Sequence, residues 1–158
     1  MHDARRSAFA ITVLILFVVM ATPRAGESQV LVGARAGAYT ADGDPFIGGE
    51  VLVGVERDLF LNPNVEWVFA ERANKGTFNF DVHYDFARRG SAFFWLGGGL
   101  AVIYVDPDGV SDSRTDAGAN ILFGVGFRTA GRRWVPYIQA KVLAADDSDF
   151  VLGFGVRF

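Results

Sequence analysis

Residues 77–86 read "TFNFDVHYDF". Phe78, Phe80, Val82, Tyr84 and Phe86 alternate strictly with Asn79, Asp81, His83 and Asp85. A helix turns about 100° per residue and would scatter these two sets around its axis. A strand sends successive side chains to opposite faces and so sorts them completely. The segment is therefore a strand with one oily face and one charged face.

The same period recurs through the rest of the chain. Val30, Val32, Ala34, Ala36 and Ala38 alternate with Gln29, Gly33, Arg35, Gly37 and Tyr39, and Ile47, Val51, Val53 and Val55 stand against Glu50, Gly54 and Glu56. Val65, Trp67 and Phe69 flank Glu66. Ala119, Ile121, Phe123, Val125 and Phe127 oppose Asn120, Gly124, Gly126 and Arg128. Ile138, Ala140 and Val142 oppose Tyr137, Gln139 and Lys141, and Phe150, Leu152, Phe154, Val156 and Phe158 oppose Val151, Gly153, Gly155 and Arg157. Residues 92–104, "AFFWLGGGLAVIY", are apolar on both faces, and periodicity leaves their orientation open. Eight segments of about ten residues predict an all-β chain in an eight-stranded antiparallel up-and-down sheet. Their length suits tilted strands that cross a bilayer.

The connections are expected to differ in length, and three of the four longer ones are markedly acidic. "RDLFLNP", "ARRGS" and "TAGRR" read as short turns, whereas "TADGDPF", "ERANKG", "VDPDGVSDSRTDAG" and "ADDSD" read as longer polar loops. Pro63 and Pro136 are placed at strand starts, where a missing donor is tolerated.

Alternation alone does not say which face is inside. A soluble exported lipocalin-like barrel binding an apolar ligand is the alternative, with its apolar set inward. Three features favour the inverse. Glycine accompanies charge on the polar faces (Gly33, Arg35, Gly37; Gly124, Gly126, Arg128; Gly153, Gly155, Arg157), as a narrow eight-stranded lumen requires. The middles of the apolar faces lack Lys, Arg, Asp and Glu. Phe46, Trp67, Phe86, Tyr104, Trp134 and Phe158 lie near strand ends, where interfacial girdles belong. The inward set is then Arg35, Glu50, Glu66, Asp81, His83, Asp85, Arg128, Lys141 and Arg157, expected to pair as a plug. Hairpin counting predicts contacts of Arg35 with Glu50 and of Glu66 with His83.

The terminal stripe Phe150, Leu152, Phe154, Val156 and Phe158 resembles the C-terminal strand signature of bacterial outer-membrane proteins. "FFWLGGGLAV" resembles a Gly-rich fifth-strand segment of the small OmpA/OmpX-like barrels. The resemblance covers nearly the whole chain after the leader. It implies a transmembrane β-barrel closed by its first and last strands, with both termini in the periplasm. It further implies that the barrel-assembly machinery reads the terminal stripe.

Residues 1–25 carry Arg5 and Arg6, then the apolar run "FAITVLILFVVMA" at 9–21, then small and polar residues. That is the layout of a secretory signal peptide, with cleavage expected after Ala21 or Ala25, leaving 26–158 as the barrel. Leaving out residues 1–25, with Arg5, Arg6, Arg24 and Asp3, takes the net charge from −3 to −5. An acidic chain without a basic stripe gives no footing for nucleic acid. The absence of cysteine rules out disulfides and a thiol-linked lipid anchor.

Catalytic machinery is not evident. His83 is followed by Tyr84 and Asp85, without the serine that lipid A deacylases of related architecture place two residues on. Asp81, His83 and Asp85 share a strand face and read as lumen charges rather than an acid–base or metal site. Asp106, Asp108, Asp112 and Asp116 lack the glycine position and closing Glu of an EF-hand. The expectation is a monomeric, non-enzymatic barrel without cofactor. It contacts outer-membrane lipid and lipopolysaccharide and displays acidic extracellular loops.

Overall fold

The computed structural model describes residues 29–71, 73–86, 90–107, 112–128, 131, 133–146 and 148–158. The leader expected at 1–25 lies outside the described residues. Eight strands follow one another: β1 (Val30–Tyr39), β2 (Asp44–Gly54), β3 (Leu59–Ala70), β4 (Ala73–Phe86), β5 (Ala92–Pro107), β6 (Arg114–Phe127), β7 (Val135–Ala144) and β8 (Asp149–Arg157). Each pairs antiparallel with its sequence neighbours, and β8 returns to β1, so the sheet closes into a barrel in up-and-down order.

The closing seam runs from Gly33 opposite Arg157 to Tyr39 opposite Val151. Phe158 extends it by one residue. Its N–H donates to Val32 O at 2.8 Å, and Val32 N–H donates to Phe158 O at 3.3 Å. The last residue is thus stitched to the first strand.

Polarity is inverted relative to a water-soluble barrel. Leu100 is 69% exposed, Ile121 65% and Phe154 62%, whereas Glu66 and Asp81 are 2% and 1% exposed. A lipocalin-like arrangement requires the opposite assignment, so that alternative fails on burial alone. In β5, which periodicity left open, Phe93, Trp95, Ala101 and Ile103 are buried in the lumen, while Leu96, Leu100, Val102 and Tyr104 face out. What decides it is β6, whose Gly124 and Gly126 lie in register with Trp95 and Phe93. A Cβ on either glycine would run into those rings.

Three expectations are corrected. The connections do not differ in length by end. Segments 55–58, 87–91 and 128–134, at the end that carries the termini, overlap in length with 40–43, 71–72, 108–113 and 145–148 at the other, and the longest of all is 128–134. Strand pairing continues through residues with turn-forming composition, such as Ala73–Gly76, because each added rung satisfies backbone donors and acceptors. Pro63 is interior to β3, not at its start. Between Glu50↔Asn64 and Val53↔Leu61 the β2–β3 ladder is interrupted, as the missing proline N–H demands. Phe46 belongs to no girdle: it is 1% exposed and packs inside with Tyr39, rings 5.7 Å apart edge to face.

If the exposed apolar belt meets lipid, a charge at its middle is costly. Leu100→Arg should lower folding free energy in vesicles by about 2–4 kcal/mol, read by urea titration. A solvent-facing Leu100 would show almost no change.

Candidate functional site

The lumen is built in three layers. At the end away from the termini, Tyr39, Phe46, Val68, Ala101, Ile103, Leu143 and Val151 form an apolar cap. At the terminal end, Phe93, Trp95, Leu122 and Tyr137 form an aromatic layer. Between them lies a polar core to which nearly every strand contributes, because the inward parity of every strand but β5 brings a polar side chain to mid-height.

Two carboxylates organise that core. Glu50 on β2 accepts from Arg157 Nε at 2.7 Å and from Asn62 Nδ2 at 2.9 Å, and Arg35 Nη1 lies 3.8 Å away. Glu66 on β3 accepts from Lys141 Nζ at 3.0 Å, from Arg35 Nη2 at 3.1 Å and from Thr77 Oγ1 at 3.1 Å. The Tyr39 hydroxyl also donates to it. Arg35 therefore bridges the two acids, and the chain Arg157–Glu50–Arg35–Glu66–Lys141 ties β8, β2, β1, β3 and β7 across the lumen. Isolated charges in such a place would be prohibitive; paired and hydrogen-bonded, they are tolerated.

An amide ladder completes the core. Asn64 Nδ2 donates to Asp81 Oδ2 at 3.0 Å, Asn79 Nδ2 to Asn64 Oδ1 at 3.0 Å, and Asn120 Nδ2 to Asn79 Oδ1 and Asp81 Oδ1, both at 2.9 Å. Asp81 is thus held by two amides, bringing in β4 and β6. β5 joins through Trp95, whose Nε1–H donates to Gln139 Oε1 at 3.3 Å.

Of the nine expected inward residues, Arg35, Glu50, Glu66, Asp81, His83, Asp85, Lys141 and Arg157 are buried in the lumen. Arg128 is not: it is exposed at the rim, its guanidinium 4.5 Å above the Phe93 ring. β6 ends at Phe127, so Arg128 lies past the last rung. The predicted Arg35–Glu50 approach is present at ion-pair distance, although Arg35 stands opposite Gly48. The predicted Glu66–His83 contact is absent. Glu66 stands opposite Thr77, because β3 and β4 are joined through only Glu71 and residue 72, and the register moves accordingly. His83 sits one layer lower, stacked on Trp95 at 5.5 Å and tilted against Phe60 at 5.6 Å, with Asp85 Oδ1 3.4 Å from its Nε2.

Several members of the core escaped sequence reasoning. Asn62 falls in the segment "RDLFLNP", which reads as a turn in the sequence. Tyr39, Asn79, Asn120 and Gln139 were assigned to polar faces without partners, since uncharged side chains carry no pairing signal in a sequence. Trp95 and Tyr137 hold Arg157 between them, with its guanidinium carbon 4.7 Å and 4.4 Å from their ring centres. Among the described residues, no three His, Asp or Glu side chains are placed to hold a metal ion.

No family model and no curated protein matches the sequence. Solved structures do. The N-terminal β-barrel domain of Pseudomonas aeruginosa OprF superposes with a TM-score of 0.72 at 18% identity, over 84% of this chain and 98% of that one. The fold is that of the small outer-membrane barrels. Neisserial surface protein A gives a TM-score of 0.64 at 14% identity, again over 84% and 98%. Ail of Yersinia pestis, solved with the heparin analogue sucrose octasulfate, gives 0.57 at 15% identity, over 83% and 97%. The match spans nearly the full length of each of these three barrels.

Glu66 is the most consequential member of the core, because removing it strands Lys141 and leaves Arg35 only the longer 3.8 Å approach to Glu50. Glu66→Ala should cost about 3–5 kcal/mol, read as an earlier urea midpoint. A midpoint close to that of the unaltered protein would mean that Arg35 and Lys141 do not depend on it.

Proposed function

We propose that the protein is a monomeric, non-enzymatic β-barrel of a bacterial outer membrane, exported on the leader expected at 1–25, with its termini in the periplasm. The observation that carries this reading is the inverted polarity: a continuous exposed apolar belt surrounds a lumen whose charges are held by ion pairs and buried amides. Such an object is stable in lipid and aggregation-prone in water. Its role is structural or one of surface interaction. The acidic connections, with Asp42, Asp112 and Asp146, project from the end opposite the termini, where divalent ions can bridge them to lipopolysaccharide phosphates. The layered filling of the lumen supports a barrel that does not conduct. The stripe Phe150, Leu152, Phe154, Val156 and Phe158 faces outward along the closing strand, and we assign it as the surface read by the barrel-assembly machinery.

Membrane fractionation combined with gel mobility before and after heating tests the reading. The protein should sediment with outer membranes, need detergent for extraction, and migrate differently once boiled. A detergent-independent soluble form would overturn it.

Two further outcomes follow from the terminal strand and the filled lumen. Deleting Phe158 removes a pair of seam hydrogen bonds and the end of the stripe, so the heat-modifiable form should fall several-fold in cells. A normal yield of folded protein would reject the assembly role. In planar bilayers the purified barrel should show no steady conductance, whereas sustained open-channel current would reject the plug.

A further inference from the structure

Beyond the aromatic layer a cavity of about 120 Å³ opens at the terminal mouth, and Gln29, Leu31, Asp85, Phe93, Arg128 and Arg157 are among the side chains that line it. Pockets for small ligands usually run to about 300–1,000 Å³, so this one has the dimensions of a side chain or two. Of its three charges, Arg157 is held from below by Glu50, its Nε 2.7 Å from Oε1, and Asp85 stands 3.4 Å from His83 Nε2. Both are buried, whereas Arg128 is exposed at the lip. Its backbone N–H donates to Ser91 O at 2.6 Å, and its guanidinium lies 4.5 Å over the Phe93 ring, turned over the lumen. A guanidinium has five donors in a planar fork, so one stacked on a ring keeps donors for an anion.

The chain brings an acid to the same place. Gln29 and Leu31 share the inward side of β1, and Gln29 is fixed at the lip because its carbonyl accepts from Gly54 N–H at 2.9 Å. β8 gives out with Phe158 against Val32, and β2 gives out at Gly54. Among the described residues, the ladder thus has no rung for anything ahead of Gln29. Residues 26–28, Gly-Glu-Ser, lie outside the described residues. Glu27 has the inward parity of Gln29 and is two residues from it, a step of at most about 7 Å. It is the single charged side chain of 26–28, and cleavage after either Ala21 or Ala25 retains it. Gly26 and Ser28 beside it are small enough to pass over a narrow opening.

We propose that residues 26–28 form a strap across the terminal mouth, with the Glu27 carboxylate paired to the Arg128 guanidinium. The inference rests on the leader reading, which leaves 26–158 as the mature chain, and adds to the barrel a closure made from its own N-terminal segment. An exposed ion pair is weak by itself. A tether of a few residues holds the acid at an effective concentration in the millimolar range, so it outcompetes dilute anions for the same guanidinium. The strap covers the terminal mouth as the cap around Tyr39 and Phe46 covers the other.

Arginine modification by phenylglyoxal, mapped by mass spectrometry, tests the strap. The mature chain and its E27Q variant are refolded in detergent and checked for heat-modifiable mobility, and intact mass reports where the chain begins. Failure of the barrel or leader reading therefore shows before the strap is judged. Glu27 precedes the first strand, so E27Q leaves every rung of the barrel in place. At low salt Arg128 should react about two- to five-fold faster in E27Q, the range over which an exposed ion pair shifts an equilibrium. Arg114, at the opposite end and paired with Asp116, should react equally in both. In about 0.5 M salt, where charges are screened within a few ångströms, the unaltered protein should approach the variant. Equal Arg128 rates at low salt would overturn the proposal, whether the mouth is empty or holds a free anion. A difference that persists in salt, or one that Arg114 shares, would overturn it equally. An R128K variant adds a direct measure of contact, since the native lysines, Lys75 and Lys141, lie elsewhere in the barrel. A zero-length carbodiimide should join the introduced amine to the Glu27 carboxylate, and coupling to Asp85 or another acid alone would reject the pair.

Discussion

Closure of the sheet between β1 and β8 is the constraint on which everything else depends. A strand edge in lipid exposes a row of backbone donors and acceptors with no water to satisfy them, at several kcal/mol for each. The seam from Gly33–Arg157 to Tyr39–Val151, lengthened by Phe158 against Val32, removes that edge. The barrel has no free edge to protect, so its outer surface can be oily throughout. Once closed, eight strands also leave a lumen only wide enough for side chains.

The narrow lumen explains the pairing of bulky and absent side chains. Trp95 lies over Gly124, Phe93 over Gly126 and Tyr137 over Gly155. Each ring occupies the space that a neighbouring strand leaves empty. It also explains why the charges form one connected core. Arg35, Glu50, Glu66, Lys141 and Arg157 project from five strands into a cross-section where their heads meet, and an acid on one strand finds its base on another. Buried ion pairs add little net stability against an apolar core. Their contribution here is register: a slip of two residues along the β1–β8 seam would carry Arg157 away from Glu50 and from its slot between Trp95 and Tyr137.

Apolar layers flank the polar core at both ends. The cap around Tyr39, Phe46 and Val68 closes one mouth, and Phe93, Trp95 and Tyr137 narrow the other. Many of the remaining charged residues lie in the connections, where acids gather at one end and arginines at the other. The molecule is thus polarised along its axis by its connections rather than by its lumen.

The strand period, the eight segments and the inside-out assignment were legible in the amino-acid sequence, because period-two alternation sorts side chains before any partner is known. "TFNFDVHYDF" needs no neighbour to have one oily and one polar face. The sign of that assignment was legible too, in glycine beside arginine on the polar faces. Register was not. The β3–β4 turn is tighter than its composition suggests, which moved Glu66 opposite Thr77 and away from His83, and Pro63 proved to be a strand residue. Nor could a segment apolar on both faces, residues 92–104, reveal its orientation, since that follows from which neighbour supplies the glycines. The identity of each lumen partner likewise belongs to the tertiary structure. Side chains on non-adjacent strands, such as Glu66 and Lys141, meet only after the sheet has curled into a barrel, and the distance along the chain carries no information about the distance across it.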